Sequence, residues 1–131
     1  MKKITLIILT YLIVIFNSNL QGKEENQNIK IGLLAPLSGE YKALGESLLY
    51  SLQLALEEIG DKKVYIVPRD TGFENKEMLN SAIQEMRSLG VKVIIGPIKH
   101  DDFEEVRKYT DLIFISPSNI SPEFSSNVIS I

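Results

Sequence analysis

Short runs of β-branched and aliphatic residues alternate with longer amphipathic stretches from residue 31 onward, and no other feature of the sequence restricts the fold as much. The runs at 31–35, 64–67, 91–95, 112–115 and 128–131 predict five strands, with Lys30 able to open the first and Pro68 closing the second. Between the first two runs, Leu44, Leu48, Leu52, Ala55, Leu56 and Ile59 recur at three- and four-residue spacing. That period predicts a helix over 41–59, with Gly60 as its left-handed stop. Asn75 is placed to cap a second helix whose apolar positions Met78, Ala82, Met86 and Leu89 share a face, and Gly90 ends it. Asp101, with Glu104 three residues later, marks a short third helix that carries Phe103 and Val106 inward. Strands that alternate with helices pair in parallel through right-handed crossovers. The expected fold class is therefore α/β, a Rossmann-like parallel sheet flanked by helices on both faces. The near-continuous apolar strands suit a sheet that is buried on both sides.

The first 28 residues stand outside this pattern. Lys2 and Lys3 precede an unbroken run of apolar residues and threonines from 4 to 16, and polar Asn17, Ser18 and Asn19 follow, which reads as a secretory signal over 1–22. The run is shorter than the ~20 apolar residues a bilayer-spanning helix needs. No Ala-x-Ala site occurs, so Ser18 or Gly22 would have to serve for cleavage, and an uncleaved anchor is the alternative. Residues 23–28 are charged or amide-bearing apart from Ile29 beyond them, as expected of a solvated linker, and 29–131 form the folded domain.

Composition narrows the function. Losing 1–22 removes two of the 14 basic residues and none of the 17 acidic ones, so the formal charge becomes −5 and no basic stripe remains for nucleic acid. There are no cysteines, which excludes disulfides and a lipidated N-terminal cysteine, and export without disulfides points to a bacterial periplasm. A single histidine, His100, without companion ligands makes no metal site. No nucleophile–base pair, phosphate loop or dinucleotide glycine fingerprint occurs, so neither enzyme chemistry nor a cofactor is expected. The pairs Glu57-Glu58, Asp101-Asp102 and Glu104-Glu105 are expected on solvated helix faces or at helix starts.

In an open parallel sheet, ligands bind beyond the carboxyl ends of the strands, where loops converge at the topological switch point. The candidate loops are 36–45, 96–101 and 116–120. Gly39 and Gly45 let backbone approach a ligand, while Ser38, Ser116 and Ser118 offer hydroxyls and free amides for a carboxylate. Ser38, Gly39, Tyr41, Gly96, Pro97, His100, Ser116 and Ser118 are the candidate ligand-binding residues, with Lys99 beside His100 for an anionic solute. Serines and prolines also shape such turns for purely structural reasons.

The run Ile31-Gly32-Leu33-Leu34-Ala35-Pro36-Leu37-Ser38-Gly39, then Gly45, then Leu54-Ala55-Leu56-Glu57-Glu58-Ile59, resembles the opening of the type I periplasmic binding proteins of the leucine-binding family. Gly90-Val91-Lys92-Val93-Ile94-Ile95-Gly96-Pro97 and Phe114-Ile115-Ser116-Pro117-Ser118, followed by Ser121-Pro122-Glu123, resemble that family's next two signature segments in order. The resemblance implies part of the first lobe of a two-lobed clamshell that traps a small solute and hands it to a membrane permease. Two departures bear on the ligand. Ile98-Lys99-His100 stands where the family commonly has a carboxylate-binding serine, and Ile120 stands where amino-acid binders tend to have a threonine. A site built for α-amino acids would then leave the ammonium group unpaired. The penicillin-binding-protein activators, which resemble this family and regulate cell-wall synthases, are the rival expectation.

Overall fold

In the computed structural model, residues 28–117 and 126–131 are described. Residues 1–27, which hold the expected signal and nearly all of the linker, and 118–125, which include Ser118, lie outside them. The elements follow in the order β1 (Ile29–Ala35), α1 (Lys42–Ile59), β2 (Val64–Asp70), α2 (Lys76–Ser88) and β3 (Val93–Ile95). A 3-10 turn (His100–Asp102) then leads into α3 (Phe103–Val106), β4 (Ile113–Ser116) and β5 (Val128–Ser130). All pairings are parallel, and the sheet order is β2-β1-β3-β4-β5. The expected α/β class is the one found.

Several boundaries moved, each for a physical reason. Pro68 does not close β2, which runs on to Asp70 with Pro68 opposite Leu33. The strand lies at the sheet's edge, where a missing N–H costs no ladder bond. β3 starts at Val93 rather than residue 91, because the Val91 amide donates to Met86 O and belongs to the stop of α2. Similarly, Leu112 is held in a turn by its bond to Tyr109 O, and β4 instead takes in Ser116. The third helix is one 3-10 turn and one α turn, with no side-chain cap at its start, so the Asp101–Glu104 capping signal is not used.

The buried faces of the helices are also rotated from the expected ones. α2 is capped by Asn75, whose Oδ1 accepts from the Met78 amide, as the sequence suggests. Its buried stripe is Leu79, Ala82, Ile83 and Met86, while Met78 and Leu89 are exposed. In α1 only Gly45 is fully buried; Leu48, Leu49, Leu52 and Leu56 are half-buried, and Leu44, Ala55 and Ile59 face outward. Gly45 sets this rotation. A Cβ there would stand 2.0 Å from Pro36 O, so the bare Cα lets the helix close onto the loop that leaves β1.

The main core cluster occupies one side of the sheet, while Leu33 and Ala35 are buried on the other. Leu34, Ile94 and Phe114 pack with Leu79, Ile83, Met86, Val91, Phe103, Val106 and Leu112 from α2, α3 and their flanks, and α1 contributes nothing to this cluster. Gly32, Ile94, Phe114 and Val128 lie in register on that side, and a Cβ on Gly32 would meet Met86 Sδ at 2.7 Å. The opposite side carries Val93–Ile113 and Ile95–Ile115–Ile129 in register, yet α1 packs mainly over β1 and β2. Ile113 is accordingly 45% exposed and Ile129 52%. Two neighbouring residues of β4 should therefore respond differently to mutation. Phe114→Ala should cost about 3–5 kcal/mol of unfolding free energy and Ile113→Thr less than about 1 kcal/mol, measured by urea denaturation. Equal losses would mean that the Ile113 side is covered.

Candidate functional site

β1 is the sheet's switch point. Its following loop leads to α1 on one face, whereas the loop after β3 leads to α3 on the other, and a crevice opens between them at the carboxyl edge. The loop after β1 is tied to the end of β2 by Asp70. Its Oδ1 accepts from the Leu37 amide at 2.9 Å and the Gly72 amide at 2.9 Å. Burial raises the Asp70 carboxyl's pKa, but hydrogen bonds from the Ser38 side chain and the Gly72, Leu37 and Ser38 amides outweigh it, so the group stays below its ordinary value.

Aromatic and cationic contacts extend the tie to the third loop. Tyr41 stacks on Phe73 with ring centroids 3.8 Å apart, and Lys99 Nζ stands 5.4 Å from the centre of the same Phe73 ring. Lys99 also lies 3.8 Å from both Glu74 Oε1 and Asp101 Oδ2. Ser38, Gly39 and Tyr41 line a shallow hollow of about 290 Å3 together with Glu40, Gly72, Phe73 and Glu74. His100 is exposed and lines a neighbouring cavity of about 470 Å3, between the starts of α2 and α3.

The other candidates lie deeper. Gly96 and Pro97 are buried, joined by a cis peptide bond, and the Gly96 amide donates to Ile115 O. Gly96 has φ +101°, and a Cβ there would stand 2.1 Å from Leu34 O, so this position locks β3 against β1 and presents no side chain to a solute. Ser116 is buried at the end of β4, its carbonyl accepting from the Ile131 amide.

Phe73, Glu74 and Asp70 were not among the sequence candidates. The loop after β2 could have been included on the same carboxyl-edge rule, since every parallel strand ends there. Asp102 corrects the expectation of a solvated acid pair, being only 6% exposed while Asp101 remains in solvent. Burial pushes its carboxyl up to about 6, against the pull of Lys99. Among the described residues, no group of three His, Cys, Asp or Glu side chains is placed to hold a metal ion.

A parallel sheet of this order is a doubly wound α/β architecture with its switch point beside β1. The sequence profile of the periplasmic binding proteins matches residues 28–130, and the chain belongs to that family. Among solved structures, it is similar to a solute-binding protein of an ABC transporter from R. palustris in complex with 4-hydroxybenzoate. That pair has 19% identity and a TM-score of 0.67, over 78% of this chain and 31% of the other. A leucine-binding protein from Thermotoga maritima gives 20% identity and a TM-score of 0.67, over 78% and 32% of the two chains. LpoA from Haemophilus influenzae gives 18% and 0.62, over 79% and 19%. At these identities the likeness is one of fold, and the chain spans about a third or less of each of these structures. No curated protein matches the chain.

The two perturbed carboxylates should leave opposite marks on stability. Asp70 titrates lower when folded than unfolded, so its contribution is present above the ordinary carboxylate pKa of 3.8 and is lost as pH falls through the lower folded value. Asp102 titrates higher when folded, so stability falls as pH rises from 3.8 to about 6 and stays lower above that. Thermal melts across pH should therefore show Asp70→Asn flattening the acid limb. Asp102→Asn should raise stability at neutral pH on the order of 1–2 kcal/mol. Destabilisation by Asp102→Asn at neutral pH would mean that its charge is satisfied.

Proposed function

We propose that residues 29–131 are part of the first lobe of an exported solute receptor, with 1–22 as its secretory signal and 23–28 as a linker. The receptor holds a small polar solute at the carboxyl edge of the sheet and delivers it to a membrane permease. It works by recognition, without turnover. The observation that carries this reading is the tie among the loops after β1, β2 and β3 through Asp70, Tyr41–Phe73 and Lys99. Those contacts make three separate turns into one concave wall.

The wall favours an anionic or aromatic solute over an α-amino acid. Lys99 and His100 stand where a carboxylate-binding serine would be expected, and the Tyr41–Phe73 stack offers an aromatic surface. The R. palustris relatives carry 4-hydroxybenzoate and benzoate, which is the same chemistry. A periplasmic location follows from this reading. The likeness to LpoA keeps a cell-wall regulator as a second reading, and the absence of any cysteine for lipidation weighs against it.

One wall buries one side of a solute, so binding should be weak, on the order of 1 mM, or about −4 kcal/mol. Calorimetry of the 131-residue chain should detect 4-hydroxybenzoate or benzoate in that range, leucine more weakly, and a loss of binding in Lys99→Met. No heat with any of the three would count against a solute receptor. Submicromolar binding would count against a half-cleft.

A further inference from the structure

The cavity of about 470 Å3 between the starts of α2 and α3 contains a feature that the solute reading does not use. Asp102 lines it, is more than nine-tenths buried, and its carboxylate neither caps the helix it precedes nor forms an ion pair or hydrogen bond among the described residues. A buried charge without a partner is costly, and proteins usually pair such groups or leave room for something that does.

The lysines nearby are committed elsewhere, and Arg107, the other fixed cation of the lining, is not without a partner of its own. Lys99 is shared between Glu74 and Asp101 at 3.8 Å each, with its ammonium over Phe73. Lys76 lies 3.7 Å from Glu105 Oε1, which belongs to a carboxylate already bonded to Asn80 and Lys108. The remaining lining consists of His100, Phe103, Glu104 and Arg107. Glu104 is exposed at the rim, while Phe103 is 2% exposed and its side chain belongs to the core. A bare metal ion would find no cluster of three ligands among the described residues. A ligand that brings its own N–H donors fits better, and the volume lies within the usual range for small-molecule sites, roughly 300–1,000 Å3.

We infer that this cavity binds a small organic ammonium group, with the Asp102 carboxylate as its counter-ion. The site is bounded by the loops after β2 and β3, the first turn of α2, and α3 with its C-cap Arg107. It shares Lys99 and His100 with the wall proposed for the solute, whereas its counter-ion, Asp102, is not part of that wall.

Proton linkage gives the site a signature. Asp102 titrates at about 6, the neighbouring charged and titratable groups being Glu74 from the β2 loop, Lys76 from α2, Lys99, His100 and Asp101 from the β3 loop, Glu104 and Glu105 from α3, and Arg107 at its C-cap. Ammonium binding needs the ionised carboxylate, so it should weaken about tenfold between pH 7.5 and pH 5.

The test is an amide NMR titration of the 131-residue chain with ethylammonium chloride, with potassium chloride as the control. Saturable shifts confined to residues 74–76 and 99–107 are expected at pH 7.5, about tenfold weaker at pH 5. They should be absent in Asp102→Asn and stronger in Lys99→Met, which removes the competing cation. The inference is overturned if no such shifts occur, if potassium reproduces them, if folded Asp102→Asn retains them, or if Lys99→Met weakens them. Benzoate binding that survives in Asp102→Asn would leave the solute receptor standing while this site fell.

Discussion

The central position of β1 governs the whole arrangement. It is hydrogen-bonded to β2 along its full length and to β3 on its other side. The chain must therefore leave β1 toward one face and β3 toward the other, and a gap at the carboxyl edge is unavoidable. Two glycines permit the close contacts this requires. Gly96 lets β3 end against the Leu34 carbonyl, and Gly45 lets α1 settle on the Pro36 carbonyl. Larger residues at either place would push the loops off the edge, and the concave wall would be lost.

The same topology explains why the main core cluster lies on one side. Rightward steps from β2 to β3 and from β3 to β4 put α2 and α3 on one face, whereas the single leftward step from β1 to β2 puts α1 on the other. Among the described residues, the rows Val93–Ile113 and Ile95–Ile115–Ile129 then have little above them. An all-parallel sheet is ordinarily covered on both faces, and the solved structures similar to this chain are about two and a half to four times as long.

Much of the fold was legible because parallel α/β units announce themselves twice, in apolar strand runs and in the punctuation between them. Asn75 as a cap and Gly60 and Gly90 as left-handed stops are local signals, and they read correctly. What periodicity could not supply was rotation. In α2, Leu79 and Ile83 fit the inward stripe as well as Met78 and Leu89 fit the expected one, and only packing against the sheet chose between them. Pro68 misled because edge position is a property of the sheet order, which a local reading lacks. The site was partly legible. The carboxyl-edge rule named Ser38, Gly39, Tyr41 and His100, which line its surface, but also Gly96, Pro97 and Ser116, which lie beneath it. Phe73 and Asp102 escaped, since an aromatic in a turn and one acid of a pair carry no periodic signal.

The account rests on three loops forming one wall, and the Tyr41–Phe73 stack is the contact that joins two of them while Lys99 reaches the shared ring from the third. Nuclear Overhauser effects between aromatic side chains in the labelled 131-residue protein test it most directly. Strong cross-peaks between the Tyr41 and Phe73 rings, together with weaker ones from the Lys99 side chain to Phe73, are the predicted result. Rings that show neither, in a protein whose sheet contacts are otherwise intact, would mean that the turns stand apart and that no common recognition surface exists.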